Sequence, residues 1–147
     1  MSTPAPGASG PGLDPRGPRF AAAVTSAVLA VVLITGSGWL LAVQAVVFAV
    51  AVFAGPGKAP YGLVYRHFVA PRLAPPTERE DPRPVRFAQL VGLVFAVVGM
   101  VGYLVGPEAL GIVATAFALF AAFLNAVFGL CLGCEMYLRI RRLTAAR

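Results

Sequence analysis

Residues 87–105 read FAQLVGLVFAVVGMVGYLV, nineteen positions without a Lys, Arg, Asp or Glu. A bilayer's hydrocarbon core is about 30 Å thick and takes roughly 20 helical residues to cross. Lipid offers the backbone no hydrogen-bond partner, so such a stretch spans as an α-helix or as part of a closed barrel. Three further apolar stretches, 20–35, 39–54 and 109–132, also lack charge. Four segments are too few to close a barrel, so all four are expected as helices. Pro18 suits a first helical turn, where its missing N–H costs nothing. Counted from Pro18 and Gly38, the expected spans are 18–35, 38–54, 87–105 and 109–132.

Composition agrees. Of 147 residues, 59% are hydrophobic and 12% charged, and the mean hydropathy is +0.81. A soluble domain this small needs about twice that share of charge. The chain is too apolar for a disordered protein, and two cysteines are too few for a disulfide-stapled secreted scaffold. The net charge of +6 is what basic loops beside a membrane give, so no nucleic-acid partner is expected.

Charge also orients the bundle. The twelve Lys and Arg residues lie before the first span, between the second and third, and after the fourth. The two intervening turns carry only Glu108. The positive-inside bias then makes both termini and the 55–86 loop cytoplasmic. Trp39 and Tyr103 are expected at the outer interface, and Tyr61, Tyr65 and Tyr137 at the inner one. Residues 1–17, rich in Pro, Gly, Ser and Ala, read as a disordered tail, and 144–147 as a short C-terminal tail. No cleavable leader is expected, because the first Arg, at position 16, already adjoins the first apolar run and no cleavage site follows that run. Residues 61–69 read as a short interfacial helix, and 71–84, with five prolines, as an extended linker.

The chain carries an internal similarity. Asp14-Pro15-Arg16-Gly17-Pro18-Arg19-Phe20-Ala21 matches Asp81-Pro82-Arg83-Pro84-Val85-Arg86-Phe87-Ala88 at six of eight positions. The same offset lays Tyr61-Gly62-Leu63 on Phe128-Gly129-Leu130. The expected fold is therefore an all-α membrane protein, four transmembrane helices built from two duplicated helical hairpins. The paired arginines of the opening motif suit phosphate headgroups or the neighbouring Asp, or serve as ordinary membrane anchors.

One chemical signature stands out. Cys131-Leu132-Gly133-Cys134 falls where the fourth span reaches the inner interface. A C-x-x-C is the minimal dithiol redox unit, and the reducing cytosol disfavours a permanent bridge there. The pair is redox-active, metal-ligating, or an inert pair of small apolar residues. If the helix runs on, its C-terminal end and Glu135 disfavour a thiolate. If the backbone breaks at Gly129, Cys131 opens a new amphipathic helix over 131–143 whose positive end favours one. The sequence offset pairs His67 with Cys134, making His67 a possible helper base; an interfacial histidine facing headgroups is the alternative. A metal site from Cys131, Cys134 and His67 is a weaker alternative that lacks a clear fourth ligand. Thr25, Ser26, Gln44, Gln89, Thr115 and Asn125 read as interhelical packing groups, and Gly102-x-x-x-Gly106 and Gly129-x-x-x-Gly133 as close-approach surfaces. No span carries a charge, a nucleophile triad or a quinone-specific residue, and no cofactor is implied.

The strings DPRGPRFA, PYGLVYR, EDPRPVRFAQ and NAVFGLCLGCEMY together resemble an uncharacterised bacterial integral-membrane family, domain of unknown function 4395, over about residues 13–143. That resemblance implies an actinobacterial-type inner-membrane protein in a thiol or sulfur context, encoded near thioredoxin-like and sulfurtransferase proteins. The expected function is a cytoplasm-facing dithiol at Cys131 and Cys134. It would exchange thiols or relay sulfur with a soluble thioredoxin-like or sulfurtransferase partner. A non-enzymatic membrane scaffold and a small sulfur-compound permease are the alternatives; the oligomeric state stays open.

Overall fold

The computed structural model describes residues 14–75 and 81–145. Six α-helices occupy the described residues: α1 (Arg16–Thr35), α2 (Gly38–Phe53), α3 (Pro60–Val64), α4 (Pro82–Leu104), α5 (Glu108–Phe128) and α6 (Leu132–Ala145). A short helix is present where one was expected over 61–69: α3 continues through a π-helical turn at Tyr65–Val69. The tail reading of residues 1–17 lies outside the described residues up to position 13; beyond it, α1 already begins at Arg16.

Local chemistry sets the ends. Gly36 takes a left-handed φ of 67° and sends its N–H to Val32 O at 2.7 Å, closing α1. Ser37 then caps α2 by accepting from the Leu40 amide at 3.1 Å. Asp81 caps α4 through the Arg83 amide at 2.9 Å, with Pro82 in the first turn. Residues 82–84 are therefore helical, and the extended linker expected over 71–84 stops short of them.

Three helices, α1, α4 and α5, are long and apolar enough to cross a membrane. α2 is apolar throughout but has 16 residues, about 24 Å at 1.5 Å per residue. The fourth expected span, 109–132, is shorter than read: α5 ends at Phe128, where Gly129 turns left-handed at φ 69°.

The helices do not close into two independent hairpins. α1 packs mainly on α5, α2 on α4, and α4 on α5, while α1 and α2 touch little. The core therefore draws on both halves, with Leu29 and Val32 of α1, Leu41, Ala45 and Phe48 of α2, Ala96 of α4 and Ala118 of α5. Small residues permit the closest approach. A methyl group on Gly102 would collide with the backbone of Gly111, which fixes α4 against α5.

The two DPRxxRFA motifs make matched contacts. In each, the first Arg pairs with the Asp: Arg16 Nη2 lies 3.0 Å from Asp14 Oδ2, and Arg83 Nη2 lies 2.7 Å from Asp81 Oδ2. The second Arg crosses to the far half. Arg19 donates to the carbonyls of Ala126 and Val127 at 3.3 Å, at the end of α5. Arg86 donates to Val52 O at 2.6 Å and 3.0 Å, at the end of α2. A cation there meets unpaired carbonyls and the negative end of the helix dipole. The motif's Phe packs on a tyrosine in both cases, Phe20 on Tyr65 at 5.8 Å and Phe87 on Tyr137 at 5.6 Å, at 47° and 48°.

Candidate functional site

α5 stops at Gly129 because a left-handed residue ends the helical ladder. Its N–H bonds Asn125 O at 3.0 Å, and the Leu130 N–H bonds Leu124 O at 3.3 Å. The chain then folds back, and α6 lies along α4. Of the two backbones considered for this region, the broken one is found. Cys131 stands just ahead of α6: its carbonyl accepts from Glu135 N at 3.0 Å, and its sulfur accepts from Cys134 N at 3.2 Å. The sulfur thus occupies the place a serine or aspartate oxygen takes at a helix start. Cys131 and Cys134 are joined as a disulfide with Cα atoms 5.2 Å apart, and both are half-buried.

Gly133, between the cysteines, is a packing requirement. A Cβ there would lie 2.6 Å from Cα and Cβ of Ala88. Only glycine lets the C-x-x-C turn sit against α4, which presses the disulfide onto the bundle.

Behind the disulfide lies a cavity of about 390 Å³ between α1, α4, α5 and α6. Cys131, Leu132 and Gly133 form one wall, and Phe95, Phe117, Phe120, Ala121 and Met136 line much of the rest. Its polar groups are few: Thr25, Gln89 and Asn125. Among the described residues, the side chains of Gln89 and Asn125 have no hydrogen-bond partner. Both were expected as packing groups, whereas Gln44 fills that role. Gln44 is fully buried, accepts from Tyr61 Oη at 2.7 Å, and donates to Thr25 Oγ1 at 3.5 Å.

A second cavity, of about 450 Å³, lies under α3 and is bordered by Asp14, Tyr61 and Tyr65; it shares Pro18, Thr25 and Gln89 with the first. Tyr65 Oη donates to Asp14 Oδ2 at 2.8 Å. Burial pushes the Asp14 carboxyl up, but bonds from Arg16 and Tyr65 outweigh this and hold it below its ordinary value. Burial, then the bond to Asp14, pushes the Tyr65 hydroxyl up, and burial alone does so at Tyr61.

His67 is exposed in the π-helical turn and does not line the cavity that Cys131 borders. The matched Phe–Tyr contacts set Tyr65 against Tyr137, seventy-two residues on rather than sixty-seven. In that register His67 stands opposite Arg139, not Cys134. Among the described residues no three His, Cys, Asp or Glu side chains gather, so the metal alternative of Cys131, Cys134 and His67 is not assembled. Sequence reasoning found the cysteines and, of its two glycine pairs, the close approaches at Gly102 and Gly133; Gly106 meets only Val101 and Gly102, and Gly129 is a left-handed helix end. The same reasoning missed the cavity, which no single segment encodes, and the far partners of Arg19 and Arg86.

No curated protein and no solved structure matches the chain. The model of the family described as Domain of unknown function (DUF4395) matches residues 13–142, a range that holds both DPRxxRFA motifs and the disulfide, and the chain belongs to that family.

Proposed function

We propose that the protein is a membrane-embedded thiol–disulfide carrier working through Cys131 and Cys134. The observation that carries this reading is the disulfide itself, set at the start of α6 with the Cys134 amide on the Cys131 sulfur. The positive end of a helix stabilises a thiolate, the species that attacks or leaves in exchange. A reduced soluble partner of thioredoxin-like chemistry attacks one sulfur, forms a mixed disulfide, and leaves as a disulfide with both protein thiols restored. In a sulfurtransferase setting, a thiolate of the reduced pair attacks the outer sulfur of a donor persulfide, the donor leaves as a thiolate, and the new persulfide passes its outer sulfur to an acceptor thiolate in the same way. His67, exposed and away from the cavity that Cys131 borders, remains a candidate helper only through a partner bound across both.

The same reading places four spans in the bacterial inner membrane, with α2 completing the bundle and both termini cytoplasmic. Arg16, Arg19, Arg83 and Arg86 at the starts of α1 and α4, against Glu108 alone at the opposite turns, support that orientation. The matched contacts of the two DPRxxRFA motifs support descent from a duplicated hairpin.

The test is a maleimide mobility shift on the full-length protein after oxidant and after reductant. A reversible shift, accelerated by a soluble dithiol protein and lost in Cys131→Ser, supports the carrier. Function retained in vivo with both cysteines replaced by serine overturns it.

A further inference from the structure

A disulfide carrier needs an oxidant, and the cavity against Cys131 has the attributes of an oxidant's site. Its volume of about 390 Å³ lies within the usual range for small-molecule pockets. Its lining is apolar and aromatic, with a small number of polar groups. Two of those are the half-buried side-chain amides of Gln89 on α4 and Asn125 on α5, which have no hydrogen-bond partner among the described residues and stand on two different helices. Close packing is the rule in protein interiors, yet small residues, Ala118 and Ala121 among them, leave this space unfilled. Phe117 and Phe120 at its margin are exposed at 60% and 58%, on the α5 surface that the membrane reading assigns to lipid. A ligand therefore enters from the bilayer, not from water.

We propose that this cavity binds the ring of a lipid-soluble quinone and that the quinone closes the Cys131–Cys134 disulfide. The inference rests on the carrier reading only in requiring that the cysteine pair cycles. Two S–H bonds break and one S–S bond forms. The two electrons and two protons released convert the two quinone carbonyls to the hydroxyls of a quinol. The amides of Gln89 and Asn125 donate to the carbonyl oxygens, and the aromatic side chains stack on the ring. A soluble dithiol then reopens the disulfide, so the net reaction oxidises that dithiol at the expense of quinone.

The test uses the full-length protein in nanodiscs of quinone-free phospholipid. Binding of a short-chain benzoquinone is measured by equilibrium dialysis on the Cys131→Ser, Cys134→Ser double variant, which cannot react. Saturable binding is expected, weakened at least about tenfold by adding Ala121→Phe, which fills the cavity. Asn125→Leu, a milder change, is expected to weaken it about fivefold. In a second arm the wild-type protein is reduced, freed of reductant without air, and mixed with the quinone. One quinol per protein is expected, alongside loss of both free thiols. A third arm follows exchange with a soluble dithiol protein. Quinol formation without that exchange supports the quinone site and removes the soluble partner. Exchange without quinone binding leaves the carrier and overturns the quinone site. Binding unaffected by either variant, or bound quinone that is never reduced, also overturns it.

Discussion

Arg86 in the first turn of α4 places Nη2 2.6 Å from the carbonyl oxygen of Val52 in the last turn of α2, thirty-four residues earlier. Arg19 does the same for α5 at Ala126 and Val127. A cation on these carbonyls replaces the helix ladder's missing donors and meets the dipole's negative end. Arg86→Ala is expected to cost about 1 kcal/mol, since the guanidinium is exposed and water competes for it. Arg86→Lys is expected to recover part of that loss, as one ammonium cannot reproduce the forked contact. Thermal unfolding in detergent micelles, read by circular dichroism, measures both.

Gly133→Ala is expected to be more costly. The added methyl meets Ala88 backbone and side chain rather than a flexible tip, so α6 must lift from α4. Overpacking of this kind costs about 1–3 kcal/mol. The variant is expected to keep both thiols while forming the disulfide less readily in a glutathione redox buffer, as titrated by mass spectrometry. Glycine substitution elsewhere on the exposed face of α6, at Arg142 for example, serves as the control.

Tyr61→Phe removes the donor to Gln44 Oε1 and leaves a fully buried amide oxygen without its partner. The expected cost is about 1–3 kcal/mol, the penalty for stranding a buried polar atom. Adding Gln44→Leu to Tyr61→Phe is expected to restore part of the loss, because the orphaned group is then gone. A double-mutant cycle by chemical unfolding gives the coupling between the two side chains.

Acid is expected to weaken the opening motifs. At Asp81 the side-chain bond from Arg83 is the main cause of a lowered pKa, exceeding the opposing effect of burial. Asp14 is lowered as well, with burial opposing and Arg16 and Tyr65 prevailing. A carboxyl whose folded pKa lies below its unfolded value, 3.8, adds stability that is complete above that value and lost as pH falls through the folded one. Unfolding midpoints measured downward from pH 5 are therefore expected to drop below about pH 4. The Asp14→Asn, Asp81→Asn double variant is expected to start lower and show a flatter acid limb.

Much of this architecture is legible in the residues. Uncharged runs of helical length mark α1, α2, α4 and α5, and Gly36 and Pro107 mark the turns between them. The Asp-Pro pairs announce the starts of α1 and α4, because aspartate caps and proline fits a first turn. The end of α5 was only half legible. Apolar residues and glycine run unbroken from Ala126 through Leu132, and only the left-handed backbone of Gly129 separates two helices there. The partners of Arg19 and Arg86 were not legible, since either arginine equally suits a headgroup, its own aspartate or a distant carbonyl. Nor were Gln89 and Asn125 separable from Gln44. All three are lone amides in apolar helices, and only tertiary packing leaves two facing a void and one bonded on both sides.

Because α1 leans on α5, α2 on α4, and each opening arginine finishes a helix belonging to the other half, neither half owns a complete interior. Severing the chain between Pro75 and Asp81 would yield two fragments that are insoluble or degraded when produced singly. Produced together, they would reassemble into one particle. The protein is in this sense two interlocked halves of one chain, and split-fragment complementation is a natural way to engineer or assay it.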